Sequence, residues 1–129
     1  MLMNFKRYSY LLGLLLYIPI NAWAFDSFDC VGTKSFWKLS ITDQKFTFTP
    51  QAASASTMPA VEPKPAENMS IEHIRIFRTK MNNKEVIIVI QKQSCSDDAS
   101  DDVFAYEGLF ISSDKVFHGC CNKKILLTN

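Results

Sequence analysis

The chain has 129 residues, a formal net charge of +1, four cysteines, and a 47% share of hydrophobic residues. Its first 24 residues hold Lys6 and Arg7 but no acid, so the remaining 105 carry 12 basic and 13 acidic residues, a net −1. That composition allows one small domain, excludes disorder, collagen and coiled coil for most of the chain, and offers no basic field for nucleic acid or anionic lipid.

Asn4-Phe5-Lys6-Arg7 is a short basic start, and Tyr8 to Ile18 is an apolar run of about a dozen residues that Pro19 ends. Ala22-Trp23-Ala24 then supplies the small-x-small pattern that signal peptidase requires. Residues 1–24 are expected to be a cleaved signal peptide and 25–129 a single periplasmic or secreted domain. The apolar run falls short of the ~20 residues that span a bilayer, so membrane contact is expected only through this segment if it stays uncleaved.

Phe36 to Ile41 alternates, with Trp37, Leu39 and Ile41 on one face and Lys38 and Ser40 on the other, the period of a half-buried strand. After the polar Thr42 to Lys45, Phe46-Thr47-Phe48-Thr49 resumes the alternation, and the two segments read as a hairpin. Residues 51–68 are rich in Pro, Ala and Ser and read as a long extended loop. Ile74 and Ile76 alternate with Arg75 and Phe77 in a third strand, and Met81-Asn82-Asn83-Lys84 turns it back, because Asn tolerates positive φ. Val86-Ile87-Ile88-Val89-Ile90 is β-branched without alternation, so it is expected to be a central strand covered on both faces, or one lying at an interface. Ser94 to Asp102 is an acidic connector. Val103 to Ser112 is a strand with Phe104, Tyr106, Gly108 and Phe110 on one face, Val116-Phe117-His118 returns, and Lys124 to Leu127 adds a short apolar end. The sum is an all-β domain, a small antiparallel β-barrel or sandwich built as a meander.

Cys30, Cys95, Cys120 and Cys121 make an even set in an oxidising compartment and predict two disulfides. A bond between the neighbours Cys120 and Cys121 strains its ring. In either remaining connectivity Cys30 and Cys95 each take one of the pair, since adjacent residues of a strand point to opposite faces. Loops of about 25 and 90 residues imply roughly 3.5 and 4.6 kcal/mol of stabilisation at most.

The chemistry available is narrow. Gly32, Gly108 and Gly119 are the only glycines after residue 24 and form no phosphate loop or dinucleotide fingerprint; no nucleophile elbow or zinc-protease motif occurs, and no cofactor is called for. His73 reads as a strand-surface residue. His118, two residues before Cys120, reads as a strand histidine beside a disulfide rather than the partner of a Cys nucleophile. Asp97, Asp98, Asp101 and Asp102 lack both EF-hand spacing and a glycine, which favours a solvated turn over a Ca²⁺ loop. Trp37, with Leu39 and Ile41 as its alternation partners, belongs to the core, with a ligand-cavity floor as the competing role.

Three segments taken together, Cys30-Val31-Gly32-Thr33-Lys34-Ser35-Phe36-Trp37, Cys95-Ser96-Asp97-Asp98-Ala99-Ser100-Asp101 and Gly119-Cys120-Cys121, resemble a group of uncharacterised exported bacterial proteins of membrane or lipoprotein type. Those proteins carry C-x-G-x-E-P-F-W, C-S-D-G-M-S-D and G-C-C in the same order. Here Lys34-Ser35 replaces Glu-Pro, Asp98-Ala99 replaces Gly-Met, and a lipid-attachment cysteine is missing. The resemblance implies a β-rich, disulfide-stapled domain exported into a Gram-negative-type envelope, and implies no activity.

The expected function is a non-enzymatic binding or inhibitor-type module, with Trp37, Asp97 and Asp101 as candidate ligand-binding residues and an envelope protein or a small ligand as partner. The competing expectation is a small exported enzyme using the acidic loop Asp97–Asp102 with His118. It requires Asp97 and His118 to share a concave site.

Overall fold

The computed structural model describes residues 25–97 and 101–125. The expected signal segment, Asp98, and Leu126 and Leu127 of the expected apolar end lie outside the described residues. Eight strands follow one another: β1 (Phe28–Gly32), β2 (Lys38–Ile41), β3 (Lys45–Thr49), β4 (Ser56–Pro59), β5 (Ile74–Met81), β6 (Lys84–Ser96), β7 (Val103–Ser112) and β8 (Lys115–Lys123). All pairings are antiparallel, in the order β4-β3-β2-β1-β8-β7-β6-β5. The first and last strands in sequence pair with each other, so the meander wraps into a nearly closed barrel.

The seam falls between β4 and β5. Lys64 and Ile76 exchange two backbone hydrogen bonds across it, at 2.9 and 2.8 Å, and the Thr79 hydroxyl donates to the Pro59 carbonyl at 2.7 Å. The stretch 51–68 is therefore more than a loop. It contains β4, whose Met58 is fully buried, and a bridge that helps close the barrel. Its signal is faint because, of the two residues of β4 that face inward, Ser56 and Met58, only Met58 is apolar, which leaves no period to read.

Inside, alternate residues of each strand form the core, as the side-chain period of two dictates. Phe28, Ile41, Phe46 and Met58 are paired in register across β1 to β4, followed by Cys30, Leu39 and Phe48. Phe77 of β5, Val86, Ile88 and Ile90 of β6, and Tyr106 and Phe110 of β7 complete it. Phe48 and Phe110 stack at 4.2 Å, and Phe46 meets Phe77 edge-on at 5.3 Å. An eight-stranded barrel either fills its interior with side chains or holds a ligand there. This one is filled.

One expectation about faces needs correction, and the faces of β5 that the sequence leaves open are settled. β6 is next to the β5 edge rather than central: Val86, Ile88 and Ile90 point inward while Ile87 and Val89 lie half-buried on the outer surface. On β5, Arg75 and Phe77 face the core and Ile74 and Ile76 face out. His73 is exposed, as expected, in a turn before β5 rather than on the strand.

The disulfides join Cys30 to Cys121 and Cys95 to Cys120. Cys30 and Cys121 are direct cross-strand partners inside the barrel. Cys120 faces the other way and meets Cys95 of β6, although β7 lies between them. In a flat sheet strands two apart are about 10 Å apart, yet these Cα atoms are 5.4 Å apart. The register shift between Lys92 and Cys95 bends the β6–β7 hairpin so that its end reaches back over the outside of β8.

Candidate functional site

That overhanging hairpin end forms one wall of a groove of about 680 Å³. Asp97, Asp102 and Phe104 come from the hairpin; Gly32 to Lys38, the loop joining β1 to β2 with its flanks, forms the opposite wall. Val31 of β1 and Thr49 to Ala52, the last residue of β3 and the three after it, complete the lining. The groove is thus external to the filled barrel, and the Cys95–Cys120 bond holds one wall against the rest.

Trp37 is a core residue that also lines the groove. Its side chain is buried, packed against Phe48 at 5.9 Å and Phe117 at 6.2 Å, and one edge forms part of the groove floor. Two glycines admit it: a Cβ on Gly32 would stand 2.5 Å from the indole Nε1, and one on Gly119 would stand 2.7 Å from Cζ2. Phe36 is the neighbour with opposite parity and is 78% exposed at the rim. Phe36 stands outside the expected ligand-binding set, yet the alternation contains its signal, because Phe36 shares the outward parity of Lys38 and Ser40.

Of the acidic candidates, Asp97 and Asp102 line the groove, whereas Asp101 is exposed at the hairpin tip outside the lining. Among the described residues no group of three or more His, Cys, Asp or Glu side chains is arranged to hold a metal ion. His118 is not brought to the groove. It stands on the outer side of β8, with Nδ1 3.1 Å from the Thr33 hydroxyl and Nε2 3.3 Å from Glu107 Oε1. Asp97 and His118 therefore do not share the concave site that the enzymatic expectation requires.

A second polar constellation went unread in the sequence. Arg75 projects into one end of the barrel and is only 3% exposed. Its guanidinium donates to Asp26 at 3.0 Å and Glu72 at 3.4 Å, and lies over the rings of Phe28 and Tyr106 at 5.0 and 5.8 Å. Lys123 adds a cation 3.4 Å from Asp26. Burial alone would lower the Lys123 pKa, but the Asp26 carboxylate beside it outweighs that, with help from Tyr106, and holds the ammonium above the ordinary lysine range. Every buried side-chain nitrogen and oxygen among the described residues has a hydrogen-bond partner. This cluster is a satisfied structural plug.

The two disulfides belong to a chain folded in an oxidising environment, and no helix among the described residues is long and apolar enough to cross a membrane. No family model, curated protein or solved structure matches the chain.

Proposed function

We propose that the protein is an exported, non-enzymatic binding module, acting in the periplasm or outside the cell, that takes its ligand or partner in the groove between the β1–β2 loop and the β6–β7 hairpin. The observation that carries this reading is the exposed Phe36 ring at the rim of a cleft floored by Trp37 and walled by Phe104, Asp97 and Asp102. Its volume falls within the range of small-ligand sites, ~300–1,000 Å³, and a mostly apolar lining with a few placed charges is their usual chemistry. A solvated aromatic rim costs free energy that closure by a ligand recovers. The filled barrel directs binding to this external cleft.

The test uses small aromatic probes: phenethylammonium, phenethyl alcohol and phenylacetate, titrated while two-dimensional NMR follows the indole N–H of Trp37, the only tryptophan after residue 24. At least one probe should shift Trp37 together with Phe36 and Phe104, and Phe36→Ala should weaken it at least fivefold. Capture from envelope extract should run in parallel, with a species held by the wild type, lost with Phe36→Ala, and kept by the remote variant Lys80→Ala. Shifts scattered over the barrel, or capture indifferent to Phe36, would remove the groove as the binding site. Trp37→Ala is unsuitable as a probe because that side chain is core.

A further inference from the structure

The outer face of β5 to β8 is a second, independent feature. Across these strands the register places Arg78, Ile87, Ile111 and Val116 in one row and Ile76, Val89, Leu109 and His118 in the next. Ile87, Val89, Leu109 and Ile111 thus form an aliphatic square at the centre, flanked by Ile76 and by Val116, which is 61% exposed. The other half of the barrel is built differently: the outward residues of β2 to β4 include Lys38, Ser40, Thr47, Thr49 and Thr57. The apolar surface is one-sided, unlike the continuous band of a lipid-embedded barrel.

We infer that this face is an interface between two copies of the chain, packed sheet on sheet about a two-fold axis. The charge pattern selects the occupant. Outward charges on these strands sit at opposite corners of the square: Arg78 and Lys80 of β5, with Glu85 of β6 beside them and a net positive sum, toward one end, and Glu107 toward the other end of β7, one row beyond Leu109. An isologous interface needs a patch complementary to itself. A two-fold axis lying in the face between those corners sets Arg78 of each copy over Glu107 of the other and aliphatic square on aliphatic square. Within one chain these charges have only partly exposed partners, Glu85 for Arg78 and His118 for Glu107, which hold them weakly. The footprint sets the strength: four strands ~4.8 Å apart and seven residues at ~3.4 Å cover about 450 Å² per copy. The pair then buries about 900 Å², the low end for specific association, so the dimer is weak and concentration-dependent. The groove lining lies elsewhere and stays open.

Sedimentation equilibrium of the disulfide-bonded protein from 10 μM to 1 mM tests this. The wild type should shift from monomer toward dimer within that range. Ile87→Lys should stay monomeric, and Arg78→Glu or Glu107→Arg alone should weaken association at least tenfold. The double exchange Arg78→Glu/Glu107→Arg should restore it to within about threefold of the wild type. Near-UV circular dichroism checks folding, and the exposed Arg78 variants carry the test if Ile87→Lys misfolds. A wild type monomeric throughout overturns the interface, as does a double exchange no stronger than either single one.

Discussion

At the scale of single residues, the three glycines of the described chain have one joint task. Gly32, Gly119 and Gly108 are register partners across β1, β8 and β7 and form a row without side chains. One side of that row seats the Trp37 indole. Further along, a Cβ on Gly108 would stand 2.5 Å from Cys121 Sγ, so Gly108 leaves the space that the inner disulfide fills. Gly108→Ala should therefore destabilise by about 1–3 kcal/mol through overpacking, read as a lower Tm. Gly119→Ala should cost at least as much, because its Cβ also meets the Val31 carbonyl. Equal melting temperatures for Gly108→Ala and the wild type would refute the packing argument. Arg75 gives a second residue-scale prediction. Its acidic partners keep much of their solvent exposure, so removing the charge strands no buried carboxylate. Arg75→Met, which preserves volume, should cost less than Arg75→Ala, for which about 2–4 kcal/mol is expected from lost packing and pairing. Chemical denaturation of both variants makes the comparison. Arg75 was illegible in the sequence for a plain reason: an arginine in an alternating strand is read as outward, and only the surrounding Asp26, Glu72, Phe28 and Tyr106 make the inward position tolerable.

At the scale of elements, legibility followed the number of inward apolar residues. β2, β3 and β7 each bring two or more and show their faces in the alternation, whereas β6 brings Val86, Ile88 and Ile90 but hides its period behind the apolar Ile87 and Val89 on the other face. β1 and the end of β8 were read only as cysteine motifs, since Asp29, Gly32, Gly119 and Asn122 dilute any strand pattern. β4 rests on Met58 and on the seam. That seam is testable: Thr79→Val keeps the shape but leaves the Pro59 carbonyl without its donor, a loss of about 1–2 kcal/mol. Hydrogen exchange should show faster opening of β4, with β7 and β8 unchanged; uniform exchange across the barrel would contradict it. The hairpin wall makes the parallel case. Cys95→Ala/Cys120→Ala removes a 25-residue loop closure, up to about 3.5 kcal/mol, and should also weaken any probe bound at Trp37. Loss of stability with unchanged probe affinity would show that the groove does not depend on the bond.

At the scale of the whole molecule, an apolar interior, two covalent bonds and a charged plug hold together a domain small enough for each to matter. The plug gives the pH dependence. Because Lys123 holds its proton more tightly when folded, its contribution is complete below the ordinary lysine range and is lost as pH rises through its raised value. The wild type should therefore lose stability relative to Lys123→Met only in strongly alkaline solution, with the two melting curves parallel near neutrality. The molecule's candidate site was half legible: Trp37 and Asp97 announced themselves by type, whereas the groove itself arises from a bend in β6 that no local pattern encodes.

The adjacent cysteines have a consequence for assembly. Sliding β8 by one residue against β1 would turn every side chain of β8 to the other face, sending Cys121 outside and Cys120 toward Cys30. Each bond closed alone would tolerate some mismatch. Both can close with Cys30 inside and Cys95 outside in only one alignment. The doublet at the end of the chain thus verifies, covalently and after the fact, that the first and last strands met in phase.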